Sequence, residues 1–547
     1  MGVVKHIAFI RNLIREHHTS ILLAVIFCVG LWFRFFRIER SLWMLLGYDE
    51  SRDMLVARHI VEYGDWIWRG PLSSGSLNAL MNSPVYYYFM AVLWFLGRSP
   101  LVVMLLWAVM SATLMNIAYR IGMSIWDKPL GIIMALLFAV QPTLISNSRH
   151  ISQPYVLPFF SVMFLWLFWS KSPMTLGKFC LIIAALMLPM HIHYGSLLVF
   201  PAGFLWLGFV WLRRIRQKNA GPYWWFVPIL LTEYLLTMWV WLTYTNTPFD
   251  QKFFLTGEVQ RNWGSLFVQA EIAGAAMLEN LWWGKDISVV LGMLAFLVGV
   301  SAWYFNRSNQ IIDRKKKYWW MLVFAITAPI IAGFHGDIIH ESYLLGTLPV
   351  LIIVVAIGLR VVLFHNRYIG FVCIGIVVWI FAEQALTVVN QVPIRSYYTQ
   401  MQEISNAIHE DYVVLPESAS DREPRIALAV LAGKYLPYDG WGTGALWFFL
   451  EERFGRRLVR LYDRGENFLP IERNATHFYV LCDYRGLQRA PADGCVRRFR
   501  SIRNYLKAGE EEIFRSGEFA LWRFRIDSSK PIGGYNVVYP DLWKPTE

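Results

Sequence analysis

Long apolar runs, separated by short polar or basic breaks, fill the first 390 residues of the chain. They lie at 20–38, 100–119, 129–145, 153–170, 177–193, 195–212, 223–243, 286–305, 318–334, 341–360 and 368–389. Each has about the 17–25 residues that a helix needs to cross a bilayer. The pattern therefore predicts about eleven membrane-spanning helices. One further run, Val85–Leu96 (VYYYFMAVLWFL), is too short to span. It is expected to lie at the interface or to re-enter.

Past about residue 390 the pattern changes. Charged residues become frequent, and helical periodicity at Ser396–His409 and Gly444–Phe454 alternates with strand-like runs at Tyr412–Leu415, His477–Cys482 and Phe519–Phe524. The expected fold is a polytopic all-α membrane domain, residues 1–389, followed by a soluble mixed α/β or α+β domain, residues 390–547. The polar segment 39–99 forms the first long loop. Within it Arg52–Tyr63, with apolar Met54, Leu55, Ile60 and Val61, predicts an amphipathic helix. Gly64, Gly70, Pro71 and Ser73–Ser76 break the middle of the loop into short pieces.

Basic residues orient the spans. Lys5, Arg11 and Arg15 precede the first, and Arg213–Lys218, Arg307–Lys317 and Arg360–Arg367 are basic loops. All of them, with Tyr119–Lys128 and Lys171–Lys178, fall on the cytoplasmic side if Val85–Leu96 does not cross. The outer face then collects 39–99, Asn147–Gln153, His191–Tyr194, 244–285, His335–Ser342 and the C-terminal domain. No cleavable leader is apparent, so the first span is expected to stay as an anchor.

Composition sharpens this picture. Hydrophobic residues make up 56% of the chain, which excludes an ordinary soluble protein, and 26 Trp suit membrane-interface belts. The net charge of +12 sits largely in short clusters between apolar runs. That pattern fits anionic lipid heads rather than nucleic acid.

The candidate chemistry begins with Asp49 and Glu50, a carboxylate pair just beyond the outer end of the first span. A general base there can meet a substrate whose tail stays in lipid. From position alone, ordinary interfacial acids remain the alternative. Arg149 and His150 stand together at the outer end of the third span, and His191 and His193 at another. His335 and His340 bracket Asp337 at a third outer turn. These histidines suit hydrogen bonding to sugar or phosphate, or plain interfacial positions. No third metal ligand has suitable spacing, so no metal or cofactor is expected. Glu233 falls inside an apolar run, which marks function or a buried pair.

The run YDESRDMLVARHIVEYGDWIW and the later NSPVYYYFMAVLWFLG resemble the first outer loop of the polyprenyl-phosphate-sugar glycosyltransferases of the GT-C fold. Protein O-mannosyltransferases and bacterial aminoarabinose transferases belong to that branch. Asp49, Glu50, Arg52, Gly64, Asp65, Trp66, Pro84, Tyr86 and Tyr87 match the family's order. Tyr343–Pro349 (YLLGTLP) is similar to the start of a late helix in that family.

The resemblance implies a membrane glycosyltransferase, in the inner membrane of a bacterium. It would move a sugar from a polyprenyl-phosphate donor to an extracytoplasmic glycan, lipid or protein. Asp49 would be the base and Glu50 its support. Arg52 is the candidate for the donor phosphate, or for an ion pair with the acids. Trp66, Tyr86 and Tyr87, with His191, His335 and His340, would contact sugar or acceptor. Two positions depart from the family: Asn82–Ser83 stands where a Lys often precedes the aromatic run, and Gln153–Pro154 where a second Asp is common. Arg149 and His150 are the expected substitutes at the phosphate. A lipid-sugar flippase or a non-catalytic envelope assembly protein are the competing classes, although no repeat or paired helix break favours a transporter.

Of five cysteines, Cys28, Cys180 and Cys373 lie in spans. That leaves Cys482 and Cys495, flanking a polar Arg-, Gly- and Pro-rich stretch, as an expected disulfide in an oxidising compartment.

Overall fold

The computed structural model describes residues 2–41, 48–68, 70, 83–219, 221–244, 263–282, 287–307, 312–335, 341–390, 397–414, 425–431, 459–462, 475–483, 506–516 and 519–526. The helices in order are α1 (Gly2–Phe35), α2 (Ile38–Ser41), α3 (Tyr48–Glu62), α4 (Val85–Gly97), α5 (Pro100–Ile125) and α6 (Lys128–Val140). Then come α7 (Pro142–Ser148), α8 (Leu157–Trp169), α9 (Leu176–Ile192), α10 (Ser196–Val199), α11 (Pro201–Arg216) and α12 (Phe226–Tyr244). The last six are α13 (Trp263–Trp282), α14 (Ile287–Arg307), α15 (Ile312–His335), α16 (Leu348–His365), α17 (Arg367–Asn390) and α18 (Tyr397–Val414).

Helix covers every apolar run. Among the described residues four helical stretches are long and apolar enough to cross a membrane: His17–Phe35, Pro100–Ile125, Ser342–His365 and Arg367–Asn390. The pair α6 and α7, bent by 57°, makes a fifth if counted as one span. Shorter apolar helices include Val85–Gly97, Gln153–Trp169 and Leu176–Ile192.

The chain divides into two compact units. The first comprises Met1–Ile38, Trp68–Phe89 and Val102–Gln391; the second comprises Glu39–Ile67, Met90–Leu101 and Val392–Glu547. At the centre of the first lies α16, in which every residue from Leu348 to Leu359 is buried. A helix apolar and buried all round has neighbours on every side, and α6, α8, α13, α14, α15 and α17 all pack against it. Close approach uses glycine. A Cβ on Gly131 of α6 would lie 2.7 Å from Tyr119 of α5, so the two backbones meet where a side chain cannot fit. Asp127 starts α6 by accepting from Leu130 N, and its carboxylate also takes the Arg360 guanidinium, joining α6 to α16.

Four elements differ from the sequence expectation. The 244–285 segment contains α13, because Ala273, Met277, Leu278 and Leu281 form a buried stripe against α15 despite the interrupting Glu271 and Glu279. The 129–145 run breaks at Gln141–Pro142, since proline cannot supply the amide that a continuous helix requires. The end of α18 absorbs Tyr412–Val414, whose β-branched valines had suggested a strand. The expected amphipathic helix Arg52–Tyr63 begins earlier, at Tyr48, and is no surface helix. Asp53, Met54, Leu55, Val56 and Ala57 are all buried.

The second unit holds a five-stranded sheet, β1 (Arg425–Leu431), β2 (Val459–Tyr462), β3 (Ala475–Asp483), β4 (Leu506–Ser516) and β5 (Phe519–Ile526), in the order β2-β1-β3-β5-β4. Strand β1 runs parallel to β2 and β3, and β5 runs antiparallel to β3 and β4. The expected strand runs at 477–482 and 519–524 are β3 and β5, with Tyr479 opposite Arg523. Both residues reach Asp411 of α18: the Tyr479 hydroxyl donates to Oδ2 at 2.8 Å and Arg523 to Oδ1, fastening the helix to the sheet. Gly444–Phe454 lies outside the described residues.

Candidate active site

Helix α3 carries the carboxylates. Its register puts Asp49 one turn before Asp53, and Glu50 three residues before it, so all three share a face. Glu50 is half-buried and Asp53 fully buried; the side chains of Asp49 and Arg52 lie outside the described residues. Farther along, His59 is buried and its Nδ1 lies 3.4 Å from Asp65 Oδ2. The helix ends as Tyr63 N donates to the His59 carbonyl and Gly64 takes φ +71°, a left-handed conformation open to glycine. Glu62 accepts from Arg58 Nε at 2.8 Å and from Trp94 Nε1 at 3.2 Å, which ties α3 to the later part of α4. Beyond the turn Trp66 and Trp68 are exposed.

In the first unit, polar side chains gather at the α6–α7 break, and each satisfies the end of a helix. Carbonyls in the last turn of a helix lack intrahelical partners and cannot stay bare in an apolar bundle. Arg34 of α1 donates to the carbonyls of Phe138 (3.2 Å) and Ala139 (3.4 Å), at the end of α6. Gln141 Nε2 donates to Asn280 O (2.9 Å) and Leu281 O (3.3 Å), at the end of α13, and Thr143 also donates to Asn280 O. Gln141 Oε1 meanwhile accepts from Leu144 N and starts α7.

Arg149 closes the group. Its Nη1 donates to the carbonyls of Phe33 (3.1 Å), Arg34 (3.4 Å) and Phe36 (2.7 Å), and its Nη2 to that of Arg37 (3.2 Å). The expected phosphate ligand is thus turned toward the end of α1 and buried there. His150 is buried beside it, its ring 5.6 Å from that of Tyr155. Burial, with the Arg149 charge adding to it, pushes the His150 imidazole down to about 4 from 6.5. At neutral pH His150 is therefore an uncharged hydrogen-bonding group rather than a cation.

The other expected contacts scatter. Tyr86 and Tyr87 are fully buried, so neither presents an open ring face. His191 is half-exposed and its Nε2 lies 3.2 Å from Glu233 Oε1, which gives the intramembrane glutamate its partner. His193 Nδ1 accepts from Gly195 N at 3.0 Å and its ring meets Tyr343 edge-on. His335 ends α15 with its side chain outside the described residues, and His340 lies outside them altogether. So does Cys495, while Cys482 sits on β3.

Sequence reasoning passed over Asp53, His59, Arg34 and Gln141. The i, i+4 spacing from Asp49 was the available signal for Asp53. A polar residue just before Pro142 was the signal for Gln141. The partners of Arg34, more than a hundred positions away, leave no local trace.

No family model and no curated protein matches the sequence. Solved structures match by shape. ArnT from Cupriavidus metallidurans in the apo state gives a TM-score of 0.55 at 12% identity, over 93% of this chain and 98% of that one. ArnT bound to undecaprenyl phosphate gives 0.53 at 10%, over 95% and 100%. The chain has the GT-C fold. A lower score, 0.48 at 12% identity over 86% and 70%, relates it to the archaeal oligosaccharyltransferase AglB from Archaeoglobus fulgidus, solved with an inhibitory peptide and a dolichol-phosphate. The GT-C fold bears out the resemblance drawn from the first outer loop. It also makes the chain a polytopic integral membrane protein.

Proposed function

We propose that this protein is a membrane glycosyltransferase that moves a sugar from a polyprenyl-phosphate donor to a hydroxyl on an extracytoplasmic acceptor, with Asp49 as general base. The observation that carries the reading is the YDESRD helix, with Asp49 in its first turn, in a chain of GT-C fold. The acceptor oxygen attacks the anomeric carbon as Asp49 takes its proton. The anomeric C–O bond breaks as the new bond forms, and its electron pair leaves with the polyprenyl phosphate. Such a step needs a base at the acceptor and donors at the phosphate. Glu50 backs up the base or orients Arg52, and Arg52 is the candidate donor to the phosphate.

The ArnT structure bound to undecaprenyl phosphate supports a lipid-phosphate donor by analogy of fold. In this reading the N-terminus is cytoplasmic and the residues after 390 form an extracytoplasmic domain, in the inner membrane of a bacterium. Mass spectrometry of lipid co-purifying with the protein should detect a polyprenyl phosphate or its sugar conjugate. Asp49→Asn keeps size and removes basicity, so turnover of that lipid should fall by on the order of 10²–10⁴-fold while the carrier still binds. Near-normal turnover would take Asp49 out of the mechanism.

A further inference from the structure

We infer that the crevice between α5, α7 and α8 is a lipid site, in which the side-chain amide of Asn147 binds the ester carbonyl of a membrane glycerolipid. The inference stands apart from the glycosyltransferase reading and concerns a surface that reading does not use.

A buried donor comes first. Asn147, near the end of α7, lines the crevice and is only 7% exposed. Its Nδ2 has no hydrogen-bond partner among the described residues. A buried amide left unpaired is costly, so it marks a place where an acceptor belongs. The backbone of Asn147 is already held, because its carbonyl accepts from Trp107 Nε1 of α5 at 3.0 Å. Trp107 in turn meets Phe89 of α4 edge to face, with ring centroids 6.1 Å apart. The side-chain amide is thus fixed in place with its donor available.

The lining then selects the occupant. Trp107, Leu114 and Leu144 are buried walls, apolar atoms make up nearly all of the surface, and no charged side chain lines it. A phosphate would be stranded there without a cation. A water needs two to four polar partners, and such walls offer too few. The enclosed space takes about one water-sized group. A single neutral acceptor oxygen carried on an apolar body meets all of these conditions. In a membrane, a fatty-acyl ester is such a group.

The mouth agrees. Tyr155 and Phe159 line the crevice and are half-exposed, so it opens beside them. From there Phe159, Met163 and Trp166 make a half-exposed apolar row along one face of α8, on which an acyl chain can lie. The indole of Trp107 beside Asn147 suits the membrane interface, the depth at which lipid esters sit.

The test uses the full-length protein in nanodiscs and two phosphatidylethanolamine probes that carry a diazirine at the same chain position. One has ester-linked chains and the other ether-linked chains, which lack the carbonyl. On the wild type the ester probe should label Phe159, Met163 or Trp166 roughly fivefold more than the ether probe, the worth of one hydrogen bond. Asn147→Leu should remove that preference and leave ether labelling unchanged. Excess polyprenyl phosphate should not compete.

Equal labelling of the wild type by the two probes would overturn the proposal, and this comparison needs no variant to fold. An ester preference that survives in Asn147→Leu would overturn it too. Competition by polyprenyl phosphate would give the crevice to that lipid instead. Labelling of α8 by neither probe would leave Asn147 a water site and end the lipid assignment.

Discussion

His150 is a buried imidazole whose proton affinity has been moved well below its ordinary range. An unfolded chain takes up this proton near pH 6.5, and the folded protein only near pH 4. The unfolded state therefore binds more protons between those values, and stability falls as pH drops from about 6.5 to about 4. Above and below that window the group contributes no slope. The full span is worth about 3 kcal/mol. Thermal melts of the detergent-solubilised protein should show a lower Tm at about pH 4.5 than at about pH 7.5, and His150→Gln should flatten that difference. An unchanged difference in the variant would assign the acid sensitivity to other groups. At this scale the acids Asp49 and Glu50 were readable because they come just after an apolar run and start a recognisable motif. The task of Arg149 was not, since its acceptors lie 112–116 positions away and the sequence shows only a cation at a helix end.

Among the elements, the α6–α7 break carries most of the polar traffic of the first unit. Gln141 starts α7 with its amide oxygen and closes α13 with its amide nitrogen. Gln141→Leu keeps the bulk but strands the Leu281 carbonyl and the Leu144 amide, each costing about 1–3 kcal/mol when left unmade, and leaves Asn280 O to Thr143. The variant should lose roughly 2–4 kcal/mol in all, after partial relaxation, read as a lower denaturation midpoint in mild detergent. Gln141→Glu retains the acceptor for Leu144 N and loses the donor, so it separates the two tasks. Apolar runs announced nearly all the helices of the membrane unit, because in a bilayer hydropathy alone decides what can span. Helix α13 was hidden because Glu271, Glu279 and Asn280 break its apolar run, although Ala273, Met277 and Leu281 keep a four-residue period. Strand β1 (RIALAVL) was hidden for a different reason: a short apolar run without alternation has no readable period.

At the level of the whole chain, the proposed orientation rests on the basic loops and on the expectation that Val85–Leu96 does not span. The corresponding helix, Val85–Gly97, has 13 residues. A protease added outside intact cells, or a membrane-impermeant thiol label added after reduction, should reach the domain after residue 390. Protection would invert the arrangement and remove the proposed outer site. The same cells test the bond between Cys482 and Cys495, which would close a loop worth roughly 3 kcal/mol in the chain-entropy model. Without reductant both thiols should resist alkylation; quantitative labelling of the pair would exclude the bond. The division into two units was legible only in part. The change in composition near 390 marks one boundary, but nothing in the pattern groups Glu39–Ile67 and Met90–Leu101 with the later residues. Such groupings depend on long-range packing rather than on local preference.

The unbroken burial of Asp53–Ala57 has a consequence for anyone reading the family history of this chain. A helix with one solvent face tolerates substitution at every third or fourth position, whereas this stretch has no free side on which drift can accumulate. Selection would hold it constant for its shape. Residues 49–52, just upstream, would be held for their chemistry. In an alignment the two causes would merge into one invariant block. A screen scored only by growth would merge them too, because a misfolded variant and an inert one look the same. Counting folded copies per cell beside the product they make would separate them: losses at 54–57 would appear as missing protein, and losses at Asp49 as protein present but silent.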